Sequence, residues 1–332
     1  MASTVTHDPA TSPPPLPEPD TTTGTKPVTL GTYIRNTIGI TAPMVGVGVA
    51  IYLFWGQGCS WLDLGMMVVM YLVSMLGVTI GFHRLLTHRG FETTNTMRFI
   101  WAVCGSMSME APVFNWVAMH RRHHQYSDAV EDPHSPHHSG PGFIGWCKGF
   151  FRAHVGWAYE PDPANLFRYI PDLQKSPSMV LANKLFPVWV VLGLLIPAVV
   201  GGLVTESWEG ALSGFIWGGL VRVFLGHHAT WSVNSVCHIW GSRPYESNDL
   251  STNNLAVGLA ALGEGWHNNH HAFPTSARHG LEWWQFDLSW IVIRGMETVG
   301  LAWKVKLPSE SELANKRRDK SGVTTPTAAA PQ

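Results

Sequence analysis

The sequence predicts an all-α integral membrane fold: four transmembrane helices in two hairpins, with a His-rich helical cap on the cytoplasmic side. Three observations carry that expectation. Charged residues make up 14% of the 332 residues, well below the roughly 25% of soluble chains. Four long apolar stretches lie between polar ends. Lys and Arg avoid those stretches and crowd the segments between and beyond them.

Residues 1–30 are rich in Pro and Thr and hold no signal-peptide core, so they are expected to form a disordered tail. The first apolar stretch covers 37–55 and the second 62–82, joined only by GQGCSWL. The third covers 185–204 and the fourth 211–225, joined only by TESWEG. The first three are long enough to cross a hydrocarbon core of about 30 Å. The fourth is shorter and contains Arg222. No Lys or Arg occurs from Asn36 to His83 or from Leu185 to Val221. The positive-inside rule therefore puts both termini and the long middle segment in the cytoplasm. The polar pieces 83–184 and 226–307 then form one cap, and residues 31–307 one membrane domain. Residues 308–332, a KRRDK cluster followed by Thr, Pro and Ala, read as a second disordered tail.

Composition removes several classes of function. A net charge of −1 without a basic stripe argues against nucleic acid. Mean hydropathy of +0.04 fits a chain that is half embedded and half polar. Cys59, Cys104, Cys147 and Cys237 form no CxxC pair, which argues against a disulfide scaffold, a zinc ribbon and an iron–sulfur cluster.

The 17 histidines are the richest signal. Three dense arrays stand in the cap: His83-Arg-Leu-Leu-Thr-His88, His120-Arg-Arg-His123-His124 and His267-Asn-Asn-His270-His271. On an α-helix, positions i, i+3 and i+4 share a face, so each HxxHH array aims three imidazoles to one side. The first array differs. A five-residue step turns about 140° on an ideal helix, so its rings converge only where the helix ends or bends. Imidazole suits Fe, Zn, Cu and Ni. Eight such ligands exceed what one ion uses, and two ions with about four each is the simplest arrangement. The element Asn234-Ser-Val-Cys-His238 adds a ninth imidazole with a polar neighbour one turn away. His134, His137 and His138 sit in a Pro/Ser/Gly loop and read as solvated, with His134 in EDPH also placed to support a ligand. His154, His227, His228 and His279 read as structural or interfacial, and His7 lies in the tail.

A zinc hydrolase needs three ligands, an open position and a base. A two-metal site built almost wholly of His beside a membrane suits redox iron and O₂ better. No haem motif, GxGxxG fingerprint or CxxC pair supplies another redox centre, so electrons must come from a separate protein. Arg121, Arg122, Lys148 and Arg152 are the candidate dock for an acidic donor.

The motifs GFHRLLTHR, WVAMHRRHHQYSDAVEDPHSP, TWSVNSVCH and GEGWHNNHHAFP, in that order, resemble the membrane fatty acyl desaturases. The resemblance covers about 32–307 and is strongest to the acyl-CoA Δ9 (stearoyl-CoA type) branch and its bacterial members. It implies a cap holding two iron ions. One would be held by His83, His88, His120, His124 and His270, the other by His123, His238, His267 and His271, with Asn234 acting through water. It also implies O₂-dependent insertion of a cis double bond, Δ9, into a C16–C18 acyl-CoA in a bacterial cell membrane. The electron donor implied is a ferredoxin or a cytochrome b5-like protein with its reductase. A related hydroxylase or acetylenase outcome stays open, as does an acyl chain carried on lipid or acyl carrier protein. No catalytic residue beyond the metal site is required. Tyr71 and Met75, one turn apart on the second stretch, would close the acyl tunnel, and Trp116 and Trp231 would line it near its bend. Just before His120 the family often has an acidic residue, where this chain has Ala118-Met119, so a carrier contact is missing or supplied elsewhere.

Overall fold

A computed structural model describes residues 25–55, 59–163 and 165–318. The described residues are mainly helical; one short antiparallel pair joins Thr25–Lys26 to Asp162–Pro163. Helix α1 (Leu30–Phe54) starts at Thr29, whose side chain accepts from the Thr32 N–H. Helix α2 (Trp61–Leu76) starts with a capping box between Ser60 and Asp63. It continues without a break as a π-helix, Gly77–Thr87. The third apolar stretch forms the helix Phe186–Thr205.

These three helices, Leu30–Phe54, Trp61–Thr87 and Phe186–Thr205, are long and apolar enough to cross a membrane. The fourth expected span does not join them. Its residues belong to a continuous run made of the helix Trp208–Gly214, a π-helix Phe215–Val221 and the helix Arg222–Ser235. Arg222 lies buried in this run, and its guanidinium donates to the carbonyls of Met107 at 2.6 Å, Gly193 at 2.7 Å and Gly218 at 3.0 Å. Neutral oxygens thus satisfy a charge that no acid among the described residues pairs.

Close backbone approach explains two of the glycines. A Cβ on Gly214 would stand 2.1 Å from the Pro197 carbonyl, so the hairpin of Phe186–Thr205 and Trp208–Gly214 closes only on small residues. A Cβ on Gly77 would stand 2.1 Å from the Gly105 N, so helix α3 (Asn95–Ser106) lies directly on the π-helix.

The cap is built over this end of α2. Helix α4 (Val113–Tyr126) follows Pro112, and helix α5 (Gly142–His154) follows Pro141. Phe82 and Leu86 of the π-helix, Val117 and Ala118 of α4, and Ile170, Leu173 and Ile293 share one buried core. Two buried arginines tie the polar layers together. Arg84 bonds Glu264, Asp287 and the Ala277 carbonyl. Arg121 bonds the carbonyls of Leu86 and Tyr169 and the Asp172 carboxylate.

Residues 309–317, within the C-terminal tail expected from 308, are structured. Ser309 and Glu312 form a capping box for the helix Glu310–Lys316, Lys316 Nζ donates to the Ala272 carbonyl at 2.6 Å, and Arg317 bridges to Tyr245. Likewise Thr25–Lys26 pair as a strand and Leu30 begins α1. The rest of both expected tails, 1–24 and 319–332, lies outside the described residues.

Candidate metal centre

The π-helix resolves the geometry of the first array. Its i→i+5 bonding makes a five-residue step only a little more than one turn, so His83 and His88 face much the same way. Their ring centroids are 4.8 Å apart. From α4, His120 and His124 meet them, with His120 at 4.5 Å from His83 and His124 at 4.5 Å from His88. His270, on the short helix His267–Ala272, completes a group whose ligand nitrogens all lie within 4.8 Å of one another. His123, His238, His267 and His271 form a second group on the same criterion. Each HxxHH array is divided between the two groups. His120 and His124 serve one group and His123 the other, while His270 serves the first and His267 and His271 the second. The stacked rings of His124 and His271, 4.5 Å apart, join the groups.

The nitrogens fit cations. His83 Nε2 and His124 Nε2 both stand 3.0 Å from His270 Nε2, and His238 Nε2 stands 3.0 Å from His267 Nε2. One neutral ring nitrogen cannot serve two such neighbours as a hydrogen-bond donor. Neighbouring ligands on bonds of about 2.1 Å around one ion would sit about 3 Å apart. The buried nitrogens His88 Nε2, His123 Nε2 and His271 Nε2 have no hydrogen-bond partner among the described residues. Burial, then repulsion among the neighbouring rings, holds His88, His120, His124, His267 and His270 well below the usual imidazole range, so all offer lone pairs.

Four carboxylates orient the imidazoles from behind. Nδ1 of His83 faces Glu264 at 2.5 Å, that of His123 faces Asp132 at 2.9 Å, that of His238 faces Asp128 at 2.8 Å and that of His271 faces Asp249 at 2.6 Å. A carboxylate at Nδ1 keeps the proton there and turns Nε2 inward as the ligand atom. Burial would raise the Asp128 carboxyl, but the His238 bond and charge hold it down at about 2. Asp132 and Asp249 are likewise held below the usual range, by His123 and His271.

None of these four acids was among the site residues expected from sequence. Glu264 sits three residues before His267, and Asp132 lies in EDPH, two local signals that could have found them. Asp128 and Asp249 reach their imidazoles from loops 110 and 22 residues distant, where spacing carries no signal.

The other expected residues are placed as follows. Asn234 is half-buried, one turn before His238. Trp116 stacks on His120 at 4.9 Å, and its Nε1 donates to Glu110 Oε2 at 2.8 Å. Trp231 is buried against His227, with ring centroids 4.8 Å apart. Met75 is buried, its Sδ 3.9 Å from Thr230 Oγ1. The Tyr71 hydroxyl donates to the Ala260 carbonyl at 2.6 Å, and its ring lines an apolar groove of about 550 Å³ with Met67, Leu72, Leu225 and Ala229.

Three expectations are corrected. Arg121 is a buried clamp, and Arg152 pairs with Glu160 at 2.7 Å, so neither is a free docking charge. His134 is buried beside Trp157 and its backbone N–H donates to Asp132 Oδ1 at 2.9 Å, rather than standing in solvent. His279, read from sequence as structural or interfacial, stands against the site, 4.4 Å from His270 by ring centroids and 3.3 Å from Glu264 Oε2 through Nδ1.

The family model for fatty acid desaturases matches residues 60–303. The chain is 43% identical over 277 residues to the hex-5-enoyl-acyl-carrier protein acetylenase of Moorena producens, covering 83% of this chain and 86% of that one. It is 40% identical over 272 residues to the sn-1 stearoyl-lipid 9-desaturase of Synechocystis sp., covering 81% and 79%. It is also 40% identical to the icosanoyl-CoA 5-desaturase of Limnanthes douglasii, covering 72% of this chain and 63% of that protein.

Proposed function

The chain belongs to the fatty acid desaturase family, and on that premise we propose that it is an integral membrane di-iron enzyme that inserts a cis double bond, Δ9, into a C16–C18 acyl chain. The observation that carries the proposal is the pair of all-imidazole groups with inward nitrogens. Softer thiolates are absent from both groups, and the donor set suits iron. Bound iron would supply the O₂-dependent oxidation that removes two hydrogens from neighbouring carbons. Two electrons would come from the acyl chain and two from an external ferredoxin or cytochrome b5-like donor, with O₂ leaving as water.

The protein's own share is positional. His83, His88, His120, His124 and His270 hold one ion and His123, His238, His267 and His271 the other, with Asn234 beside the second. Glu264, Asp132, Asp128 and Asp249 fix the ring tautomers. Trp116 stacks on His120, and Met75, two turns before His83 on the helix Trp61–Thr87, lies beside Thr230. That supports an acyl chain running down α2 and α4, with water excluded by their packing. The run Trp208–Ser235 would complete a four-span bundle. The Lys and Arg distribution supports a cytoplasmic site, and the likeness to the Moorena and Synechocystis proteins supports a bacterial plasma membrane location. A second outcome rests on one observation: the Moorena relative is named an acetylenase.

Expression in a host with a defined lipid profile tests the reading, with double bonds located by mass spectrometry and a His123→Ala variant in parallel. A new Δ9 monoene that the variant lacks is expected, together with about two irons per wild-type chain. A triple-bonded product would move the outcome to acetylenase. An unchanged profile in iron-free protein would overturn the reading.

A further inference from the structure

Lys316, Arg317 and Arg318 open the KRRDK cluster, and they fold back onto the strip 244–246 beside the second imidazole group. The Glu246 N–H donates to the Lys316 carbonyl at 2.7 Å, and the Arg318 N–H donates to the Pro244 carbonyl at 2.8 Å. The strip is held in turn to the short helix His267–Ala272, where the Tyr245 N–H donates to Asn268 Oδ1 at 3.0 Å. Arg243 precedes the strip and donates to the Asp249 carbonyl. Arg317 and Arg318 pair with Glu282 and Glu246 in exposed contacts. Ion pairs of that kind exchange partners at little cost. Arg243, Lys316, Arg317 and Arg318 thus share one face of the cap.

On that face, two consecutive residues connect the surface to the second group. Asp249 Oδ2 accepts from His271 Nδ1 at 2.6 Å. The Leu250 N–H donates to Asp128 Oδ2 at 2.7 Å, and the same oxygen faces His238 Nδ1 at 2.8 Å. The 249–250 peptide therefore reaches one imidazole through a single hydrogen bond and another through two. Leu250 is 45% exposed, so the route starts in solvent. The support behind the first group is closed by comparison. Glu264, behind His83, rests on Arg84 and His279, and Arg84 rests on Asp287, all of them buried. Electron tunnelling decays less steeply along covalent and hydrogen bonds than across gaps. An electron delivered at Leu250 therefore reaches the second group first.

We propose that an acidic one-electron carrier protein docks on Arg243, Lys316, Arg317 and Arg318 beside Leu250, and that its electrons enter through the 249–250 peptide. The inference rests on the desaturase reading above and names its electron entry. At each encounter the reduced carrier gives up one electron, and the ferric ion held by His123, His238, His267 and His271 becomes ferrous; no bond forms or breaks. Two encounters supply two electrons. With two protons from solvent and the two hydrogens removed from the acyl chain, these take O₂ to two waters. The basic face raises the encounter rate, and the peptide route sets the transfer itself.

The test uses the full-length, iron-loaded, ferric enzyme in lipid nanodiscs, without acyl substrate or O₂. Reduced plant-type ferredoxin and the reduced haem domain of cytochrome b5 are the probes, each followed by its own absorbance in stopped flow. Affinity for each is measured separately by titration at low and high salt. The double variant Arg317→Glu, Arg318→Glu should bind the faster carrier at least about tenfold more weakly and lower the second-order rate of reduction by as much, a difference that high salt erases. Its iron content and its limiting rate at saturating carrier should match the wild type. Arg122→Glu on α4 and Lys148→Glu on α5 should change neither affinity nor rate. Leu250→Pro removes the N–H on the route and should lower the limiting rate several-fold, whereas Leu250→Ala keeps the N–H and the rate. The charge reversals, made on exposed side chains, decide the docking face even where proline disturbs the loop. Unchanged affinity in the Arg317, Arg318 variant, or a loss on reversing Arg122 or Lys148 instead, would overturn the assignment and leave the desaturase reading intact. Bound iron that neither carrier reduces would overturn the desaturase reading itself.

Discussion

His88 donates its backbone N–H to the His83 carbonyl at 3.1 Å, an i→i+5 bond, and that bond sets their two imidazoles 4.8 Å apart. An α-helix would splay the same pair by about 140°. The π-helix is therefore what makes a five-residue spacing a chelating one, in keeping with the tendency of π-turns to mark functional sites. It lies against α3 through Gly77, where any Cβ would meet the Gly105 N at 2.1 Å. Gly77→Ala should force the two helices apart and cost about 1–3 kcal/mol. Thermal unfolding in detergent, read together with iron per chain, checks this. An unshifted midpoint would mean that α3 is not what holds the π-helix.

The carboxylates behind the imidazoles make a separate prediction. Asp249 Oδ2 lies 2.6 Å from His271 Nδ1 in a largely buried contact. Asp249→Ala frees the ring to change tautomer and should lower metal affinity about 10–100-fold. Iron retained against a graded chelator measures that directly, without recourse to turnover. Asp249→Asn, which keeps an acceptor at Nδ1, should fall between the two.

Much of this centre is legible in the sequence because α-helical periodicity maps directly onto side-chain direction. The HxxHH arrays on α4 and on His267–Ala272 predict convergent imidazoles, and the structure brings them together. What periodicity does not encode is how one array divides between two groups. That follows from how α4 and the short helix face each other, a tertiary relation. Apolar lengths are legible for Leu30–Phe54, Trp61–Thr87 and Phe186–Thr205. The fourth stretch is less so, because Arg222 finds its partners in the Met107 and Gly193 carbonyls, far away in sequence. Arg121 shows the same limit: a basic residue inside HRRHH reads as a surface charge, yet it turns inward onto Asp172.

That Arg121–Asp172 pair gives the cap an acid limb. Burial would raise the Asp172 carboxyl, but Arg121 and then Arg89 outweigh it and hold it at about 2. A depressed carboxyl contributes stability in full above its unfolded value. That contribution is lost as pH falls from near 4 through about 2. Asp172→Asn should flatten this limb and, by leaving Arg121 buried without its charge partner, cost about 3 kcal/mol at neutral pH. Unfolding midpoints of both proteins across pH 2.5–7 (about half-unit steps) would test the sign. An acid limb that survives the substitution would assign it to other carboxylates.

Metal removal should cost stability as well as activity. Stripping leaves nine imidazoles facing one another, with His88, His123 and His271 nitrogens buried and unpartnered. A ligand present at about a thousand times its dissociation constant stabilises the folded state by about 4 kcal/mol. Chelated protein should therefore melt several degrees lower, and added Fe²⁺ should restore the midpoint. Equal midpoints with and without metal would mean that the imidazole groups are self-sufficient.

The last prediction concerns chain length. Met75 lies on α2 two turns before His83, buried, with its sulfur against Thr230 and near Gly226. If an acyl chain runs down this face of α2, the Met75 side chain limits how far its methyl end reaches. Met75→Ala removes about three heavy atoms and opens space that additional methylenes can fill, each worth about 0.8 kcal/mol on burial. Products should then shift toward chains longer by about two carbons, while iron content stays at the wild-type level because Met75 lies two turns before the first ligand, His83. Met75→Trp should shift them the other way. Fatty-acid profiles of hosts expressing the three proteins check both directions at once. A uniform loss of all products in both variants would mean that Met75 acts through helix packing. An opposite shift in the two marks it as a wall of the acyl path.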